Sequence, residues 1–150
     1  MSEPRPQWPP DRLLPYWNST VLQVLRATIV AEAVTERAAG QLAVGCVIRN
    51  RSLLRWGWSS DIKTICLQPW QFSCWWGIDF AKRKADIDQA MQDESRFPSA
   101  HVAALKTLRG EPDITDLSLH YFNPRLVLPS WASHLVRKCR IGSHDFYGYV

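Results

Sequence analysis

The chain has 150 residues, 46% of them apolar, enough for one compact domain with a core of its own. A net charge of +4 and a pI near 9.0 favour an anionic partner, either nucleic acid or an acidic polymer such as a bacterial envelope. No run is long and apolar enough for stable membrane insertion, and nothing besides charge supports nucleic acid: the densest basic run, Lys82-Arg83-Lys84, is followed at once by Asp86 and Asp88 and reads as a solvated helix face.

Residues 1–17 carry Pro4, Pro6, Pro9, Pro10 and Pro15, so the spacing predicts an extended, proline-rich arm ahead of a domain over 18–150. The arm has no apolar stretch of signal-peptide length, which predicts a protein made soluble in the cytoplasm. A helix is predicted after Asn18-Ser19-Thr20, any of which can cap it, to about Arg37. A second runs from near Ala39 to about Leu54. Asp61 is expected to cap a short third helix that Pro69 ends, and QPWQFSCWW reads as a loop or short hairpin. A polar helix follows around ADIDQAMQDES, then SAHVAALKTL capped by Ser99 and stopped by Gly110. LSLHYFN reads as a strand, PSWASHLVRKC as a last short helix and SHDFYGYV as a final strand. The class is α+β, mainly α, with a small β-hairpin or sheet.

Eight tryptophans are many for this length; Trp70, Trp75 and Trp76 can serve as core or as platforms for sugar rings. Cys46, Cys66, Cys74 and Cys139 include no C-x-x-C pair, so neither a zinc knuckle nor a thioredoxin-type site is indicated. They read as free thiols, although Cys66 and Cys74 flank a turn and could bridge.

The first helix holds the most informative residue. At ~100° per residue, Val21, Leu25, Ile29 and Glu32 fall within a sector of roughly 80°, so Glu32 continues an apolar stripe. Its neighbours Val30, Ala31, Ala33 and Val34 offer no counter-charge. Burial disfavours a carboxylate and raises its pKa, which suits a general acid at neutral pH. The plainer alternative is that the buried stripe ends here and Glu32 pairs with Arg49 or Arg51. Glu36, one turn on, could line the same cleft.

The segment AEAVTERAAGQLAVGCVIRNR (31–51) resembles the opening motif of the SleB-like cell-wall hydrolases, the spore-cortex-lytic family, in Glu32-Ala33, Glu36, Gly40-Gln41, Ala43-Val44 and Asn50-Arg51. QPWQFSCW (68–75) is similar to that family's Q-P-x-Q-F-S block. HYFNP (120–124), PSW (129–131) and IGSHDFYG (141–148) are similar to its closing signatures. Ala31 and Val34 depart from the glycine and arginine usual beside the acid. The resemblance implies a lysozyme-like fold and cleavage of peptidoglycan glycan strands between N-acetylmuramic acid (MurNAc) and N-acetylglucosamine (GlcNAc), with Glu32 catalytic and no cofactor or metal. Substrate contacts are then expected from Glu36, Gln71, Ser73, Trp75, Tyr121 and Asn123, with Tyr121 orienting Glu32, and His144 and Phe72 structural.

Lytic transglycosylation needs one acid/base; hydrolysis would use a second carboxylate, with Glu36 the candidate. A zinc amidase drawing on His101, His120, His134 and His144 is a rival, although no pair has metal-helix spacing. A non-catalytic wall-binding module is another. A compact, basic, monomeric enzyme of this kind suits a phage endolysin acting on the host wall in the periplasm.

Overall fold

A computed structural model describes residues 9–54, 59–69 and 71–149. These residues form six α-helices, most of them packed around the second, and a three-stranded sheet packed on the third. α1 (Leu14–Trp17) follows a 3-10 turn at Asp11–Leu13; then come α2 (Val21–Ala33), α3 (Ala38–Leu54), α4 (Ile62–Leu67), α5 (Gly77–Gln92) and α6 (Pro98–Leu108). The strands are β1 (His120–Phe122), β2 (Val136–Ile141) and β3 (His144–Gly148), antiparallel in the order β1-β3-β2. None of the described helices is long and apolar enough to cross a membrane.

α2 begins as its sequence predicts. Thr20 accepts from the Gln23 amide at 3.1 Å, and the Gln23 side chain reaches back to the Thr20 amide at 3.0 Å, a reciprocal capping box. From Val24 to Ala31 every residue is buried, because α3, α4, α5 and α6 surround the helix. Such a helix must be apolar all round, and its few polar groups must find partners inside. Arg26 donates to the Ala90 carbonyl, and Thr28 donates to the Val24 carbonyl while accepting from the Trp75 indole at 3.0 Å.

The structure corrects several local expectations. Pro10 and Pro15 stand at the start of helical turns, where a missing amide costs nothing, so residues 11–17 are helical rather than extended. Leu13 and Tyr16 enter the core, and residues 1–8 lie outside the described range. α2 stops at Ala33, not Arg37, because the Glu36 amide and the Gln41 side chain both donate to the Ala33 carbonyl and close the turn. α6 starts at Pro98; Ser99 is not its cap but donates to Gln41 at 2.6 Å. Of the loop and hairpin expected over QPWQFSCWW, residues 71–76 take the loop, as a turn and a 3-10 helix (Ser73–Trp75). The expected last helix is a 3-10 turn (Ser130–His134) followed by β2, whose pairing with β3 outweighs its weak helical pattern. Asp61 does cap α4, and Gly110 stops α6 with φ +73°.

The main core includes Leu25, Ile29, Ile48, Ile65, Ile87 and Trp75. A second cluster of Ala43, Val47 and Phe146, flanked by Tyr121, Cys139 and Ile141, fastens the sheet to α3. All four cysteines are free thiols.

Candidate active site

Glu32 sits in the last turn of α2, where that buried helix meets the surface. It borders two cavities, of about 270 and 230 Å³, that share Ser73 as well. The first is also bordered by Asp79, Lys82 and Arg83 of α5, the second by Arg51, Gln71 and Tyr121. Glu32 therefore stands at the junction of two open spaces, half-buried as a residue although protein surrounds its carboxyl.

Burial raises the Glu32 pKa above the ordinary 4.5. Opposing this are the Tyr121 hydroxyl, which donates to Oε2 at 3.2 Å, the thiol and amide of Cys74, and the charge of Arg51; burial outweighs them. The result is an acid that holds its proton more firmly than a solvated carboxyl, yet has donors in place for the carboxylate once the proton leaves. Burial, and then the Glu32 charge, also raise the Cys74 thiol and the Tyr121 hydroxyl, so both remain donors. Arg51 is held at the rim by its own Nε–H, donated to the Leu119 carbonyl at 2.8 Å, and by the Phe72 ring, 5.1 Å from its guanidinium carbon. Arg49, the other cation considered for pairing with Glu32, donates instead to the Thr107 carbonyl.

Glu36 is committed elsewhere. The Ser143 amide and hydroxyl donate to its Oε1 at 2.9 and 2.8 Å. His144 Nδ1 lies 3.2 Å from the same oxygen, at ion-pair distance but without hydrogen-bond alignment. Burial works to raise Glu36, but the two Ser143 donors and His144 prevail and lower it. This clamp ties the β2–β3 turn to the α2–α3 connection. The turn permits it because Gly142 has φ +60° and no side chain; a Cβ there would come within 2.6 Å of Glu36 Oε1. His144 in turn lies edge-on to the Tyr121 ring, with centroids 5.1 Å apart.

A model of the family described as "Cell Wall Hydrolase" matches residues 35–147. The chain belongs to the cell wall hydrolase family. The match begins just after Glu32 and takes in Glu36, the 71–76 segment and all of the sheet except Gly148. Two solved structures share the fold of this cell wall hydrolase. One is the catalytic domain of the germination-specific lytic transglycosylase SleB from Bacillus anthracis, 23% identical with a TM-score of 0.67, covering 85% of this chain and 93% of that one. The other is the catalytic domain of Bacillus cereus SleB, 24% identical with a TM-score of 0.65, covering 85% and 89%. No curated protein matches the chain.

Of the residues expected at the site of this cell wall hydrolase, the structure gathers Glu32, Gln71, Ser73 and Tyr121 around common cavities. Three are placed elsewhere. Glu36 is 9% exposed at its side chain and faces the hairpin turn. Trp75 is fully buried, packed on Tyr16 at 5.1 Å, and out of reach of a sugar. Asn123 caps its own loop, its side chain accepting from the Arg125 amide at 3.0 Å. Phe72 belongs to the main core and also borders the smaller cavity, His144 lies between Glu36 and Tyr121, and Trp70 lies outside the described residues. Nothing in the sequence marks Cys74 or Asp79 as a site residue, and Arg51 stands there only as a possible counter-ion and as part of the 31–51 motif. The i, i+3, i+4 spacing of Asp79, Lys82 and Arg83 was the available signal that three charges share one helix face.

Proposed function

We propose that the enzyme cleaves the MurNAc–GlcNAc bond of peptidoglycan as a lytic transglycosylase, with Glu32 as its single acid/base. One observation carries this reading: a carboxyl with a raised pKa, backed by the Tyr121 and Cys74 donors, borders two open cavities. Protonated Glu32 gives its proton to the glycosidic oxygen as the sugar takes on oxocarbenium character. The carboxylate left behind accepts from Tyr121 and Cys74. It then takes the proton of the muramoyl 6-hydroxyl as that oxygen closes on the anomeric carbon, forming a 1,6-anhydro ring. Glu32 is reprotonated and no water is consumed.

Glu36, the candidate second carboxylate for hydrolysis, accepts from Ser143 in the hairpin clamp, which supports the single-acid reading. The exposed Asp79 favours a second reading, since it borders one of the two cavities and could activate water for hydrolysis. Mass spectra of the soluble products separate the two. Anhydro-ended muropeptides, lighter by one water, are expected; reducing ends that disappear in Asp79→Asn would establish the hydrolytic route instead. The histidines of the amidase alternative engage separate neighbours, His101 with Arg26, His120 with Trp131 and His144 with Glu36. Among the described residues no three His, Cys, Asp or Glu side chains are grouped to hold a metal ion. The setting we propose with this activity is lysis of a host cell, supported by the compact domain and the +4 charge.

Tyr121→Phe tests the acid's surroundings. The hydroxyl lowers the Glu32 pKa, so its loss should raise that pKa further. A general acid works while protonated, and its rate falls as pH rises through its pKa. The alkaline limb of the kcat–pH profile should therefore move to higher pH, with kcat falling roughly 10- to 150-fold for one lost bond to a charged group. An unmoved limb would separate Tyr121 from the chemistry.

A further inference from the structure

We propose that Lys82 and Arg83 form a subsite for the carboxylates of the stem peptide on the muramoyl residue beside the scissile bond, so that the enzyme prefers peptide-bearing strands to stripped ones. The inference rests on the proposed glycosidic cleavage and extends it to substrate choice.

The basic run 82–84 divides in the folded protein. Lys84 turns back to its own helix and pairs with Asp88, which also accepts from Tyr16 at 2.7 Å. Lys82 and Arg83 point the other way, to the cavity that Glu32 and Ser73 border. Neither has an ion-pair partner among the described residues, and both are exposed. Asp79, at i−3 and i−4, shares their face, so the helix presents two cations and one carboxylate there. A solvated charged face is ordinary, but here it forms one wall of the space that contains the acid.

The chemistry of the polymer says what such a wall can recognise. The GlcNAc and MurNAc rings are neutral. Anionic groups reach a strand through the lactyl ether of MurNAc: one carboxylate when the peptide has been removed, several when it is present. A muramoyl residue held with its anomeric carbon near Glu32 must project that substituent within a few ångströms of the acid. Of the two cavities, the one with Arg51, Gln71 and Tyr121 offers hydrogen-bonding groups suited to a sugar ring. The Lys82–Arg83 cavity offers two cations for carboxylates, and Asp79 can accept from a peptide N–H or an amino group.

The test uses the full chain carrying Lys82→Gln and Arg83→Gln, exposed changes that keep helix-forming side chains. Binding is measured on the Glu32→Gln protein with a GlcNAc–MurNAc-tripeptide and with the same disaccharide after amidase removal of the peptide. Cleavage is measured in parallel on intact and amidase-stripped strands. The peptide-bearing ligand should bind on the order of 10-fold tighter, as two solvent-exposed ion pairs allow, and the Lys82→Gln/Arg83→Gln protein should lose most of that ratio. Equal binding of the two ligands, or an undiminished ratio in the Gln variants, overturns the subsite. Cleavage without discrimination sinks this inference alone. Discrimination in binding without cleavage of either strand retains the subsite and overturns the catalytic reading.

Discussion

Glu32→Gln is expected to fold as the parent does and to lose at least ~100-fold in rate on purified peptidoglycan, the lower end of what a general acid contributes. The amide keeps the size of the side chain and an oxygen for the Tyr121 and Cys74 donors, but has no proton to transfer. Stability gives an independent check, because burial raises the folded-state pKa of Glu32 above 4.5. A carboxyl raised in this way contributes stability that is complete below its unfolded pKa and is lost as pH rises through the folded value. Parent and variant should therefore melt alike in acid, and the Gln form should melt higher near neutrality. Both curves follow from one buried proton. An active Glu32→Gln enzyme would sink the mechanism; an inactive variant whose melting shows no pH-dependent advantage would place Glu32 at the site without the buried, raised acid described here.

Gly142→Ala should cause the largest loss of stability among single methyl additions in the sheet, about 2–4 kcal/mol. Two costs add. A non-glycine residue is strained at φ +60°, and the new Cβ would lie 2.6 Å from Glu36 Oε1, displacing the oxygen that accepts both Ser143 donors. For a domain of this size the melting temperature should fall roughly 5–15 °C. The Glu36→Ala background separates the costs, since there the methyl meets no carboxylate. Gly142→Ala should then cost only about 1–2 kcal/mol, leaving a coupling of order 1–2 kcal/mol between the two sites. Equal losses in both backgrounds would show that the turn is strained but that no clamp exists. Activity should fall along with stability, because His144 connects the clamp to Tyr121, packing edge-on against the residue that donates to Glu32.

Much of the helical framework is legible because it is local. Thr20 and Gln23 are three residues apart, as a capping box requires; Asp61 starts α4 through its side chain, and Gly110 stops α6 because, without one, it takes a positive φ. The boundaries that fail are set from a distance. The end of α2 depends on Gln41 reaching Ala33, and the start of α6 on Ser99 finding Gln41 rather than its own helix. β2 carries no strong alternation and becomes a strand because β3 and the two-residue Gly142-Ser143 turn lie beside it.

The same division runs through the site. Glu32 could be singled out from sequence because an uncompensated carboxyl on an apolar stripe is a local anomaly with a chemical consequence. Whether Glu36, one turn on, shares the cleft was open in sequence, and only the tertiary structure separates Glu32, opened to two cavities, from Glu36, closed under a hairpin turn more than a hundred residues away. Trp75 shows the limit for side chains that serve equally as core or as sugar platform. Its indole N–H is taken by Thr28 inside the helix cluster, a contact across 47 residues that composition cannot reveal. Sequence by itself determined the apolar helix, the acid on it and the charges of α5, since these are properties of spacing. Which face each group turns to, and what stands opposite, was decided by packing, because burial and pKa belong to the surroundings of a residue rather than to the residue.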